Sequence, residues 1–176
     1  MLYYDKSFVL NACYGGDILK TTKTYALKGT EQMNCSNLIE KVLQATISGS
    51  APKGLIMDMD KFDWVPGVGL YGIERVREVM DSRAASEYLE AWIKRHRDRA
   101  LELRTVNSTA PVMMILDFKG NEELDLVKNI ADYIIEAAPR LKNGALEHTV
   151  TEEGVNFSGQ MWADTLFMVC IMLAKL

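Results

Sequence analysis

The sequence predicts an all-α fold, because helices with one polar face alternate three times with helices that are apolar almost all round. The polar-faced segments are residues 36–49, 86–104 and 121–140, and the apolar segments that follow them are 63–79, 108–118 and 158–176. An amphipathic helix can border water, whereas a wholly apolar helix must be enclosed by other helices. Three helical hairpins in two concentric layers are therefore expected.

The helix ends are predicted from capping residues and prolines. Asp63 can cap the second helix, in which Pro66 is tolerated because it falls in the first turn. Ser108 or Thr109 can cap the fourth helix, which has Pro111 in its first turn. The inward faces of the three amphipathic helices are predicted to carry Leu38, Ile39, Val42 and Leu43, then Tyr88, Leu89, Trp92 and Ile93, and finally Leu124, Val127, Ile130, Ala131, Ile134 and Ile135.

Two architectures place helical hairpins in two layers. An α/α toroid closes on itself, whereas an open α-solenoid stacks its helix pairs side by side. A solenoid normally ends in a repeat with a polar outer face, and the last helix here has none, which favours the toroid. Residues 1–32 show no persistent period and are predicted to be a separate, unassigned N-terminal segment.

The composition argues against several classes of function. The chain has 176 residues, of which 48% are apolar and 25% charged, as in globular proteins. A net charge of -4 gives no general attraction to phosphate backbones or anionic lipids, so neither nucleic acid nor a membrane is an expected partner. The first residues do not resemble a secretory signal, which predicts a cytoplasmic protein. Cys13, Cys35 and Cys170 lack metal-site spacing and are expected to be small buried apolar residues or incidental thiols.

Asp164 is the most unusual residue, because it is a carboxylate within the apolar sequence GQMWADTLFMVCIMLA. An acid buried there must find hydrogen-bond donors or remain protonated. It can be a structural acid that bonds a neighbouring group in the core. Alternatively, it is a proton donor at the start of an inner helix, flanked by Gln160 and Trp162. The first turns of the inner helices converge in a toroid, so Trp64, Asn107 and Asp164 are expected to share one cavity.

The other polar residues are weaker candidates. His148 lies in a loop and His96 on a charged helix face, and both are expected to be solvated. Asp58 and Asp60 lack the glycine and the later glutamate of a calcium-binding loop. The P-loop, GxSxG and HExxH motifs do not occur. No metal site and no cofactor are predicted.

Four segments resemble the unsaturated glucuronyl and rhamnogalacturonyl hydrolases of glycoside hydrolase families 88 and 105. They are DWVPGVGLYGI, TVNSTAP, GALEHT and GQMWADTLFM. The likeness is greater to family 105 and spans residues 33–176. It implies an (α/α)6 barrel of six hairpins, of which this chain supplies three. The resemblance therefore predicts a domain of residues 33–176 that forms half of such a barrel.

The resemblance also implies a reaction and a site. These enzymes hydrate the C4=C5 double bond of a Δ4,5-unsaturated uronic acid released from pectin, and they need no cofactor. Asp164 matches the acid that protonates C4 and helps to activate the water that adds at C5. Asn107 stands where many members have an aspartate that holds the sugar, His148 matches a substrate-binding histidine, and Trp64 matches an aromatic residue of the pocket. Gln160 and Trp162 flank the acid.

Two interpretations of function remain open. The first is a hydrolase of pectin-derived rhamnogalacturonan oligosaccharides, completed by a second chain or by a longer gene product. It needs such completion because the family's arginine for the uronate carboxylate would lie beyond Leu176. The second is a catalytically incomplete helical fragment, or an α-solenoid interaction module, that self-associates through an open apolar edge. Turnover of an unsaturated disaccharide distinguishes the two.

Overall fold

The computed structural model describes residues 34–49, 58–151 and 153–176, so the predicted segment 1–32 lies outside the described residues. Within these ranges the regular structure is helical, and the prediction of an all-α fold is confirmed. The elements are α1 (Cys35–Ile47), α2 (Trp64–Met80), α3 (Arg83–His96), α4 (Arg99–Glu102), α5 (Thr109–Lys119), a 3-10 turn (Gly120–Glu123), α6 (Leu124–Glu136), a π-helical turn (Leu166–Cys170) and α7 (Ile171–Lys175).

Contacts divide the chain into two units, residues 1–42 and 43–176, and the elements from α2 onward all lie in the second. Helix α5 is at the centre of this second unit, and its residues from Thr109 to Ile115 are all buried. Helices α2, α6 and α7 pack against α5, while α3 packs against α2. Helices α2, α5 and α7 are the inner helices, and α3 and α6 are the outer ones. Helix α5 is enclosed as the hydrophobic pattern predicts, whereas α2 is not, because Trp64, Val68 and Val79 on it are exposed.

The predicted faces of α3 and α6 are buried with one correction, but the predicted face of α1 is not: Leu38, Ile39 and Val42 are exposed, so the prediction is wrong for them, and Leu43 is buried. In α3, Leu89, Trp92 and Ile93 are buried, as predicted. In α6 the prediction for Ile135 is wrong, because its side chain is exposed, and Leu126 is buried in its place. Residues three and seven positions apart lie on the same side of a helix, and Ile135 therefore shares the side of the exposed Lys128 and Asp132.

The first turns of the three inner helices meet at one end of the unit. Gly67 in α2 lies against Ala110 and Pro111 of α5, and the absence of a side chain at Gly67 permits this close approach. From α5, the Thr109 hydroxyl donates a hydrogen bond to the Met168 carbonyl in the π-helical turn, at 3.0 Å. The inner helices thus converge, as the toroid requires.

Gly67→Ala is expected to destabilise the fold, because an added Cβ would lie 2.6 Å from Ala110 Cβ and 2.8 Å from Pro111 N. Overpacking of this kind costs about 1–3 kcal/mol. Gly72→Ala is the matched control on the same helix, since its added Cβ would meet nothing within 4 Å. Urea unfolding should therefore show a lower free energy of unfolding for Gly67→Ala alone. Equal losses in the two variants would contradict the close contact between α2 and α5.

Candidate active site

Residues 149–151 cross the amino ends of two inner helices and tie them together. The backbone N–H of Asn107 donates to the Thr149 carbonyl at 3.2 Å, and that of Val106 donates to the Thr149 hydroxyl at 2.8 Å. Two residues further on, the Thr151 hydroxyl donates to the carboxylate of Asp63. The loop before the last helix is therefore fixed across the start of α5 and the start of α2.

Asp63 begins α2 as predicted, since its carboxylate accepts a hydrogen bond from the Trp64 N–H at 2.5 Å. Trp64 itself is exposed and lines an open groove of about 490 Å³. The same groove is lined by Asp60, Asp63 and Arg99, but not by Asp164. The structure therefore does not place Trp64 in a shared depression with the candidate acid.

Asp164 directly precedes the last inner helix. Its carbonyl oxygen accepts hydrogen bonds from the N–H groups of Phe167 and Met168, at 2.9 and 3.1 Å. Its side chain is 46% exposed, so the alternative of a structural acid buried in the core is wrong. The reason is that its apolar neighbours Trp162 and Leu166 are themselves exposed and do not cover it. The position at the amino end of an inner helix agrees with the prediction.

His148 is buried beside this acid, with only 4% of its side chain exposed, so the prediction of a solvated histidine is wrong. Its ring stacks on Trp162 at a centroid distance of 4.4 Å and an interplanar angle of 7°, while the ring of Phe157 packs against it edge-on at 5.5 Å. His148 Nδ1 lies 3.9 Å from Asp164 Oδ1. We call Phe157, His148 and Trp162 the aromatic stack.

Gln160 accepts hydrogen bonds from both Trp162 and His148. Its side-chain carbonyl accepts a hydrogen bond from Trp162 Nε1 at 3.1 Å, and its backbone carbonyl accepts one from the N–H of His148 at 2.8 Å. Four of the predicted site residues, Gln160, Trp162, Asp164 and His148, therefore form one group. Asn107 is attached to that group through Thr149, the residue after His148.

Three buried polar atoms around this group have no hydrogen-bond partner among the described residues. They are Asn107 Oδ1, His148 Nδ1 and Thr165 Oγ1. An unsatisfied buried polar group costs about 1–3 kcal/mol, so these atoms are ready to bond a polar ligand. Sequence reasoning missed Thr165 and Phe157. The adjacency of Thr165 to Asp164 was the available signal, whereas nothing in the spacing pointed to Phe157.

The remaining sequence candidates lie elsewhere in the structure. His96 is mostly buried against Trp92, so its prediction as a solvated residue is wrong, and its Nε2 lies 3.0 Å from Asp60 Oδ1. This hydrogen bond lowers the pKa of Asp60. Cys35 and Cys170 are exposed free thiols, so the alternative of buried apolar residues is wrong for these two, and Cys13 lies outside the described residues.

The described ranges contain neither a membrane-spanning helix nor a metal-binding cluster. No helix there is long and apolar enough to span a bilayer. The same residues contain no cluster of three or more histidine, cysteine, aspartate or glutamate side chains arranged to hold a metal ion.

Residues 38–176 match the profile of Glycosyl Hydrolase Family 88. The chain belongs to this family. Over 119 residues it is 26% identical to the unsaturated rhamnogalacturonyl hydrolase YesR of Bacillus subtilis. That match covers 65% of this chain and 35% of the relative, so the chain spans about a third of the length of this curated relative.

Two solved structures share the fold of this family 88 chain. One, from Salmonella enterica serovar Paratyphi A, aligns with a TM-score of 0.63 and covers 86% of this chain and 46% of its own. The other, from Klebsiella pneumoniae, aligns with a TM-score of 0.62 and covers 88% and 47%. Both are described as possible members of the GH105 family and are 21% identical to this chain. The prediction of a partial α/α barrel is thereby confirmed.

Proposed function

We propose that this chain carries the acid/base part of a glycoside hydrolase that removes a Δ4,5-unsaturated uronic acid from pectin-derived rhamnogalacturonan oligosaccharides. Membership of family 88 and the likeness to an unsaturated rhamnogalacturonyl hydrolase support this reaction class. The observation that carries the proposal is the placement of Asp164 beside the aromatic stack, with His148 Nδ1 3.9 Å from its carboxylate. Proposed roles for the other residues follow from their contacts.

Trp162 offers a surface on which a sugar ring can lie. His148 stacks against its ring, yet the Trp162 side chain remains partly exposed. A sugar on the exposed part would lie within reach of Asp164, two residues further along the chain, and would displace water from its carboxyl group. Loss of water strengthens the electrostatic interactions of that group with the substrate. The exposure of Asp164 thus gives a substrate access to it.

The proposed reaction requires one residue that first donates and then accepts a proton. Asp164 transfers its proton to C4, and the electron pair of the C4=C5 bond forms the new C–H bond, leaving positive charge at C5. Water adds to C5 and returns a proton to Asp164. The C5–O5 ring bond of the resulting hemiketal breaks to give a ketone at C5, and the hemiacetal left at C1 then collapses to an aldehyde and releases the rest of the oligosaccharide as an alcohol. This sequence consumes one water and regenerates the acid.

Asn107 and His148 take supporting roles in this proposal. The Asn107 amide oxygen is buried and unsatisfied, so it can accept a hydrogen bond without adding a second negative charge near Asp164. His148 is enclosed by Phe157 and Trp162, so its contribution is to orient Trp162 and to place a polar nitrogen beside Asp164. Trp64, in the separate groove, is proposed to contact a more distant part of the oligosaccharide.

The test is incubation of the purified protein with unsaturated galacturonyl-rhamnose. Hydration of the C4=C5 bond removes the ultraviolet absorbance of the conjugated double bond, and mass spectrometry should detect free rhamnose. Absorbance that stays unchanged with a protein folded by circular dichroism, both for this chain alone and for a longer polypeptide that completes the barrel, would contradict the proposal. Saturated galacturonyl-rhamnose is the control substrate, and its cleavage would indicate a different mechanism.

The alternative function, self-association of a non-catalytic helical module, is favoured by one observation. Met161 and Leu166 are 61% and 66% exposed and lie beside the partly exposed Trp162. Neighbouring exposed apolar side chains mark interaction surfaces. On this hypothesis light scattering should show a dimer or a larger species, and Leu166→Gln should shift it towards monomer. Leu101→Gln, at an exposed leucine on α4, is the matched control, and a monomeric wild-type protein would rule this function out.

A further inference from the structure

Thr149, the residue after His148, joins the loop of the candidate site to the start of α5 through two hydrogen bonds. Its hydroxyl accepts from the Val106 N–H at 2.8 Å, and its carbonyl accepts from the Asn107 N–H at 3.2 Å. A single hydrogen bond leaves two segments free to turn about it, whereas two bonds to adjacent residues also fix their relative orientation. Thr149 therefore sets both the distance and the angle between the loop and residues 106–107.

An unsatisfied polar atom lies on each of the two segments that Thr149 joins. Asn107 Oδ1, on the segment before α5, and His148 Nδ1, on the loop, are buried and have no hydrogen-bond partner among the described residues. Because Thr149 bonds Asn107 and directly follows His148, it determines how these two atoms stand relative to each other. Buried polar atoms normally have partners, so these two are of interest as groups that can meet a substrate.

The loop is also bonded to the segment that carries the candidate acid. The His148 N–H donates to the Gln160 carbonyl at 2.8 Å, and His148 Nδ1 lies 3.9 Å from Asp164 Oδ1. Two successive residues thus bond in different directions, His148 towards the acid and Thr149 towards Asn107. A continuous chain of contacts therefore runs from Asn107 to Asp164 through this pair.

The helices themselves are held together by contacts that do not involve Thr149. The Thr109 hydroxyl donates to the Met168 carbonyl at 3.0 Å, and Gly67 of α2 lies against Ala110 of α5. Loss of the Thr149 hydroxyl should therefore loosen the loop but leave α2, α5 and the π-helical turn packed together. An effect on the site can thus be measured apart from an effect on the fold.

We propose that Thr149 is a positioning residue that holds His148 and Asn107 in place around Asp164, an inference that rests on the proposed function. A misplacement of about 1 Å can lower a catalysed rate about 10²-fold. Thr149 acts through these two residues and takes no part in the proton transfer. Its hydroxyl is the group required, so valine, which has the same shape without the hydroxyl, should fail where serine succeeds.

The first test is NMR of the imidazole signals, because the chain has only two histidines, His96 and His148. The indole of Trp162, stacked on the His148 ring at 4.4 Å, shifts the His148 signals by its ring current. Thr149→Val should move these signals towards those of an unstacked histidine, and Thr149→Ser should keep them as in wild type. His96, which packs against Trp92, is the internal reference and should not move.

The second test is turnover of unsaturated galacturonyl-rhamnose, by this chain or by a longer polypeptide that completes the barrel. Thr149→Val should lower kcat about tenfold or more, and Thr149→Ser should retain most of it. Thr105→Val is the matched control, because the Thr105 hydroxyl also accepts a backbone N–H, that of Ser108 at 3.1 Å, but within the turn before α5. It should leave kcat and the His148 signals close to those of wild type. Equal losses of kcat in the two valine variants would overturn the proposal.

A second variant protects the test against misfolding. If Thr149→Val does not fold by circular dichroism, Thr149→Ala takes its place, because water can enter the space left by the smaller side chain and bond the Val106 N–H. The His148 signals should move in this variant as well. Signals that stay unmoved in a folded variant without the hydroxyl overturn the proposal. Failure of both variants to fold would also overturn it, because Thr149 would then hold the whole fold and not only the loop.

Failure of the proposed function gives a different pattern of results. Retained turnover in Asp164→Asn together with a loss of kcat in Thr149→Val would reject the catalytic acid and keep the positioning role. If the wild-type protein has no turnover in either form, the proposed function fails and the His148 signals decide alone. Movement in Thr149→Val but not in Thr149→Ser would then support the positioning of His148 by the hydroxyl.

Discussion

Asp164→Asn should lower kcat on unsaturated galacturonyl-rhamnose by about 10²–10⁴-fold, because an amide cannot donate and then recover the proton. KM should change little, since asparagine retains the shape and one carbonyl acceptor of the aspartate. The fold should survive, because the side chain is 46% exposed and its only hydrogen bonds to the π-helical turn come from its backbone carbonyl. The measurement is the rate of loss of ultraviolet absorbance under saturating substrate.

Asp132→Asn is the matched control for this experiment. Asp132 is an exposed aspartate on the outer helix α6, away from the aromatic stack, so its replacement makes the same chemical change without touching the proposed site. Its kcat should equal that of wild type. Comparable activity in Asp164→Asn and Asp132→Asn would show that the proton donor lies elsewhere.

The helices could be predicted from the sequence because their causes are local. Asp63 caps α2 and Pro66 is tolerated in its first turn, and both are visible within four residues. The alternation of outer and inner helices could be predicted from the apolar fraction of each segment. In the apolar helix α5, for example, all residues from Thr109 to Ile115 are buried. The error at Ile135 arose at the edge of the apolar face, where the residue lies on the same side of the helix as the exposed Lys128 and Asp132.

The surroundings of the candidate site could not be predicted, because they depend on tertiary contacts. Asp164 lies in an apolar segment, but neighbours in sequence do not bury a side chain when they are themselves exposed, as Leu166 is. His148 is buried by Phe157 and Trp162, which follow it by nine and fourteen residues in a loop without regular period. No spacing rule predicts such a stack. The motifs shared with the family pointed to Gln160, Trp162, Asp164 and His148, but the distances and contacts among these residues came from the structure.

Glu74 and Arg77 form the ion pair whose loss should most affect stability. The Glu74 side chain is 3% exposed, and both of its oxygens accept hydrogen bonds from Arg77, at 2.6 and 2.7 Å. This contact also raises the pKa of Arg77. The guanidinium lies 5.4 Å from the centroid of the Phe118 ring on α5, so the pair stands where two inner helices pack together.

Arg77→Met should lower the free energy of unfolding by about 3 kcal/mol, because it leaves the Glu74 carboxylate buried without its partner. The lower end of the usual range of about 3–5 kcal/mol is expected, since Arg77 is itself 31% exposed and water can enter the space it leaves. Replacing both residues by methionine should recover most of the loss, since no buried charge then remains. Arg83→Met, which breaks an exposed pair with Glu87, should leave urea unfolding almost unchanged. If the single and double methionine variants unfold at the same urea concentration, the cost comes from lost packing and not from an unpaired carboxylate.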